Sequence, residues 1–237
     1  MEKESEARLN DIFRRFMEVG IEALSSQETL ELLLTYAFPR RDCQALSREL
    51  LKKCGSLKSL LSLSVSQLQN GVGMNESQAA FLTLVSQIGR QIFLEDMEIR
   101  PDAFAEIADI GRYFLELIRG HPRETFYELC LSGNDFLACY PLSDGGALTE
   151  EMDARPELIR RTVEGALTSS ANAVVLCRRL SGGLLAPSMT DRVVIKRVRA
   201  ALDTLRVNFR DYVLVTDNDF VSMSETGLME RPWEIGQ

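Results

Sequence analysis

A change of periodicity near Ile99-Arg100-Pro101 constrains this chain more than any other feature. Before it, apolar residues recur three and four apart, the spacing that lines one face of an α-helix. After it, short β-rich runs are interleaved with helical ones, the pattern of a mixed α and β domain. The 237 residues therefore read as two domains, an all-α unit over 1–98 and an α+β unit over 99–237.

In the first unit, Ile12, Phe16, Ile21 and Leu24 precede Ser25-Ser26-Gln27-Glu28, where a serine three residues before a glutamate predicts a capping box. The leucines at 30, 32, 33 and 34 continue that helix to a break at Pro39. Helices are expected over Ala45–Lys53, Leu57–Leu63, Ser66–Gln69 and Glu76–Phe93. In the second unit the expectation is a helix over Ile107–Arg119 and strands over Thr125–Leu131 and Phe136–Leu142 around the turn Gly133-Asn134-Asp135. A helix over Glu157–Ser169, a buried strand over Ala173–Cys177, a helix over Thr190–Leu205 and a hairpin of Tyr212–Thr216 with Phe220–Met223 follow.

Composition narrows the function classes. Apolar residues at 45% and charged residues at 26% are ordinary for a globular protein, and no run approaches the roughly 18 apolar residues of a membrane span. The first residues lack the apolar stretch of a signal peptide, and five scattered cysteines without a Cys-x-x-Cys fit a reducing cytoplasm. A net charge of −8 opposes indiscriminate binding to nucleic acid. Between Pro156 and Arg210, however, ten basic residues face four acidic ones, a local +6 that leaves −14 elsewhere. Arg192, Lys196 and Arg199 fall on one side of a single helix, either as a solvated face or as an anion-binding groove.

Residues Cys177 to Asp191 carry the chemistry: Cys-Arg-Arg-Leu-Ser-Gly-Gly-Leu-Leu-Ala-Pro-Ser-Met-Thr-Asp. They resemble the metal-binding stretch of the JAB/MPN metalloprotease fold, His-x-His-Pro-Ser-Gly followed by Pro-Ser-x-x-Asp. Ser181, Gly182, Pro187, Ser188 and Asp191 keep the frame, with one extra residue between Gly182 and Pro187. Cys177 and Arg179 stand where the resemblance places histidines, and an arginine has no lone pair to give a metal. The family's upstream glutamate falls near Tyr140, and the single histidine, His121, matches no ligand position.

Over nearly its whole length the chain resembles the bacterial RadC group. Arg15–Ser25, the stretch to Leu34, Leu50–Leu57 and Leu68–Ala79 are similar to its helical, UPF0758-type N-terminal domain, and Val221–Leu228 is similar to its tail. The resemblance implies a helix-hairpin-helix turn at Gly71-Val72-Gly73, then an α/β/α JAB/MPN domain of the cytidine-deaminase-like kind. In the helix-hairpin-helix motif, Gly-x-Gly amides grip a phosphate with help from a lysine, but here Glu76 holds the basic position. An intact family site would hold zinc on two imidazoles and a carboxylate and hydrolyse peptide or isopeptide bonds. With those ligands altered, the expectation is a non-catalytic binding or scaffolding module without metal, taking a protein or anionic ligand at the former site. The alternatives are a zinc metallohydrolase with a rebuilt ligand set, and a DNA-binding accessory protein in repair acting through Gly71, Gly73, Arg178, Arg192, Lys196 and Arg199. Asp191 has two readings, a carboxylate paired with Arg178 or Arg179 in place of zinc, or the cap of a helix beginning near Thr190.

Overall fold

The computed structural model describes residues 2–38, 42–119, 125–142, 156–180 and 185–229. Chain contacts divide it into two units, Met1–Gly89 and Arg90–Gln237.

The first unit is helical: α1 (Glu2–Val19), α2 (Ser26–Ala37), α3 (Cys43–Cys54), α4 (Leu57–Leu61), α5 (Val65–Asn70) and the start of α6 (Glu76–Ile99). Local chemistry sets the helix starts. Ser25 and Glu28 form the expected reciprocal capping box, and Asp42, Ser56 and Ser64 cap α3, α4 and α5 by accepting an amide three residues on. Glu28 also receives Arg15 at 2.6 Å, and that bond, joined by those from Ser25, brings its pKa down to about 2. Leu30, Leu34, Leu50, Leu60, Leu68 and Leu82 form the core, contributed by the apolar sides of α2 to α6. α6 runs six residues past the expected Phe93, because Leu94 and Met97 keep its apolar face buried among charged neighbours.

The second unit holds α7 (Ile107–Ile118), β1 (Phe126–Ser132), β2 (Asp135–Pro141), α8 (Pro156–Ser169), β3 (Ala173–Arg179), α9 (Met189–Thr204), β4 (Asn208–Val215) and β5 (Phe220–Ser222). The strands make one sheet in the order β2-β1-β3-β4-β5, antiparallel except where β3 and β4 run parallel across the α9 crossover. Alternation sends Leu129, Val175, Cys177 and Val213 towards Tyr113 and Phe114 of α7. Cys130, Val174, Leu176, Tyr212 and Leu214 point the other way, against Leu158 and Ala166 of α8 and Val194, Ile195 and Val198 of α9. Helices thus cover both faces of an α+β sheet. Gly111 of α7 permits a close approach, since a Cβ there would lie 2.3 Å from the Phe220 ring.

Candidate functional site: the Arg178–Asp191 centre

The centre forms where the end of β3 meets the start of α9. Ser188 caps α9, and Asp191 reciprocates as the third residue of a capping box. The Ser188 amide and hydroxyl both donate to Asp191 Oδ2 at 2.7 Å, and the Asp191 amide donates back to Ser188 Oγ at 3.2 Å. On the other oxygen, Oδ1 accepts Arg178 Nη1 at 2.7 Å and the hydroxyl of Tyr212 from β4. Asp191 thus pairs with an arginine, and it supports the helix start as the partner of the Ser188 cap rather than as the cap itself.

Asp191 is 1% exposed and Tyr212 is fully buried, so the pair sits in a low dielectric where an unmatched charge is costly. Burial pushes the Asp191 pKa up. The bonds from Tyr212, Ser188 and Arg178, with the Arg178 charge, outweigh it and hold the carboxyl below the usual carboxylate range. Burial and the neighbouring Asp191 push the Tyr212 phenol well up. The Arg178 guanidinium also lies over the Phe126 ring, 5.8 Å from its centre.

Cys177 and Arg179 do not join this centre, which corrects the expectation that they share it with Asp191. Side chains alternate along a strand, so neighbours of Arg178 must face away from α9. Cys177 is fully buried in the α7-side core, and that burial raises its thiol pKa well above normal. Arg179 pairs with Asp217 at 2.5 Å, and its amide donates to the Thr125 carbonyl. Leu180, next after Arg179, packs against the α8–α9 side. Among the described residues no three of His, Cys, Asp and Glu converge as a metal set. The lone pairs of Asp191 are already engaged by Arg178, Tyr212 and Ser188, and the arginine can supply none, so these side chains do not fit zinc. Ser181, Gly182 and His121 lie outside the described residues.

Tyr140, at the glutamate position of the resemblance, is half-buried on β2 directly opposite Glu128 of β1. Glu128 was missed by sequence reasoning. It is fully buried, neither carboxyl oxygen meets an N–H or O–H donor, and burial lifts its pKa to about 8. A lone acid inside the run Phe126-Tyr-Glu-Leu-Cys-Leu131 was the available signal.

The basic stripe is only partly open. Arg199 is half-buried and donates to the Met229 carbonyl at 2.8 Å, Arg192 is half-buried, and Lys196 is exposed. At the turn between α5 and α6, the Gly71 and Gly73 amides donate to the Gln67 and Gln69 carbonyls at 2.8 and 3.1 Å. Both amides are therefore engaged within the chain. Asn75 and Gln78 cap α6 reciprocally, and Lys53 leans on the Val72 carbonyl at the rim of a groove of about 520 Å³.

Residues 104–228 match the RadC-like JAB domain, and residues 14–80 match the UPF0758 N-terminal domain. A UPF0758 protein of Pseudomonas fluorescens (strain SBW25) is 31% identical over 215 residues, spanning 90% of this chain and 93% of that protein. One from Marinomonas sp. (strain MWYL1) is 29% identical over 91% of this chain and 94% of its own length. Another, from Pseudomonas fluorescens (strain Pf-5), is 28% identical over 90% and 93% respectively. The chain therefore belongs to the RadC-like JAB family of UPF0758 proteins.

Proposed function

We propose that this protein is a non-catalytic member of its family, in which a guanidinium–carboxylate pair replaces the metal centre and the domain works as a binding module. The observation that carries the reading is Arg178 Nη1 on Asp191 Oδ1 at 2.7 Å, a fixed positive charge beside the carboxylate that the family resemblance assigns to zinc. The facing of the strand supports a frame moved by one residue. With Arg178 and Leu180 at the two histidine positions, the extra residue before Pro187 disappears. Both then lie on the Asp191 side of the sheet, as two ligands of one ion must.

The ligand class follows from the exposed cation beside the centre: Lys196 is exposed one turn beyond Arg192 along α9. A carboxylate or other anionic group on a protein partner suits that edge. DNA is the weaker reading, because Gly71 and Gly73 have no free amide to offer and Arg199 holds the Met229 carbonyl.

The experiment is a pair of histidine variants in the full chain, Arg178→His with Leu180→His, and Cys177→His with Arg179→His. Zinc binding is expected in the first pair and not in the second. Zinc taken up equally by both, or only by the second, contradicts the frame and the reading built on it.

A further inference from the structure

Glu128 occupies the centre of a row that crosses four strands, Tyr140–Glu128–Leu176–Tyr212, by direct pairing of β2, β1, β3 and β4. Its side chain points to the α8 side, and there the helix presents Gly165. A Cβ at that position would lie 2.2 Å from Glu128 Oε2 and 3.1 Å from the Tyr140 ring. The helix backbone is therefore seated directly on a carboxyl group that water does not reach. Such a group is tolerated when neutral and strongly disfavoured when charged, because nothing around it replaces the lost hydration.

The surroundings supply no counter-charge among the described residues. On β1 the nearest polar group is the Cys130 thiol, a weak donor whose own pKa burial pushes up to about 12. β2 contributes the Tyr140 phenol, with Cys139 on the opposite face, and β3 contributes Leu176. On α8 the hydroxyls of Thr162 and Ser169 are bonded to the Leu158 and Gly165 carbonyls. The charged residues of α8 pair among themselves, Arg160 and Arg161 with Glu157, and Arg160 with Glu164.

We propose that Glu128 is a proton-operated latch: while its carboxyl keeps the proton α8 stays seated at Gly165, and when the proton leaves to solvent base the carboxylate forces α8 off β1 and β2. Opening uncovers the Glu128–Tyr140 stretch of the sheet. The device is independent of the reading of the Arg178–Asp191 centre, whose pair does not touch Glu128. Direct support comes from geometry, with burial lifting the titration to about 8, inside the range a cell can reach.

The test uses the full chain with the Glu128→Gln variant, and Glu128→Met should the glutamine chain fail to fold. Amide exchange over Gly165–Ser169, corrected for intrinsic rate, is followed from about pH 6 to about pH 10. Protection in the unmodified chain is expected to fall by about tenfold or more as the pH passes 8, while the variant stays flat. Infrared difference spectra should show a protonated-carboxyl band at neutral pH that the variant lacks. An absent band at neutral pH, or α8 protection that tracks the variant throughout, overturns the latch.

Discussion

Arg178 and Asp191 meet thirteen residues apart in the chain, with Nη1 2.7 Å from Oδ1, and the same carboxylate closes the capping box of the helix that carries it. One aspartate thus fixes the start of α9, orients Tyr212 of β4 and neutralises the arginine at the end of β3. Coupling three elements through one buried charge makes each contact depend on the others.

Removing the arginine should expose that dependence. Arg178→Met leaves a buried carboxylate with only neutral donors, and the expected loss is about 3 kcal/mol of folding free energy in urea unfolding. The pH profile gives the sign. The folded pKa of Asp191 lies below its ordinary 3.8, so its stabilisation is present above that value and lost as pH falls through the lowered folded pKa. Without Arg178 the loss should begin at higher pH.

Asp217→Ala is the matching control on the other face of the strand. Its carboxylate pairs with Arg179, but the Asp217 side chain is 71% exposed, so solvent screens the pair. The expected change is below about 1 kcal/mol by the same unfolding measurement. A cost as large as that of Arg178→Met would place the important arginine at 179 instead.

Gly165→Ala should destabilise although alanine is the better helix former by about 1 kcal/mol. The added methyl would lie 2.2 Å from Glu128 Oε2, so a net cost of about 1–3 kcal/mol is expected. Combining it with Glu128→Ala should recover most of that loss, and additive effects in the double-mutant cycle would deny the contact.

Much of this architecture was legible in the sequence because local chemistry dictated it. Ser25 with Glu28 and the helical spacing of the leucines after them need no long-range information, and neither does the turn at Gly133. The site was legible only to within one residue. Cys177, Arg178 and Arg179 sit in one strand, and a shift of one exchanges the two faces of the sheet. In the frame proposed above, the motif does not mark the phase by itself, and the pairing of Arg178 with Asp191 is what supports the shifted one. Strand β4 begins at Asn208, four residues before the expected Tyr212, because Asp211 reads as a loop residue. In the fold it is fully buried and accepts the Ser222 hydroxyl and the amides of Tyr212 and Ser224. Glu128 escaped notice for a related reason: a carboxylate is expected to face water, and the apolar run that flanks it marks a strand without saying which of its faces are covered.

In the proposed reading, Arg178 holds the place of a catalytic metal. The most direct measurement is the zinc content of the full, unmodified chain after purification without chelator, followed by titration with added zinc. No stoichiometric zinc and no saturable tight binding are expected. One tightly held equivalent per chain, lost on Asp191→Ala, would contradict that reading.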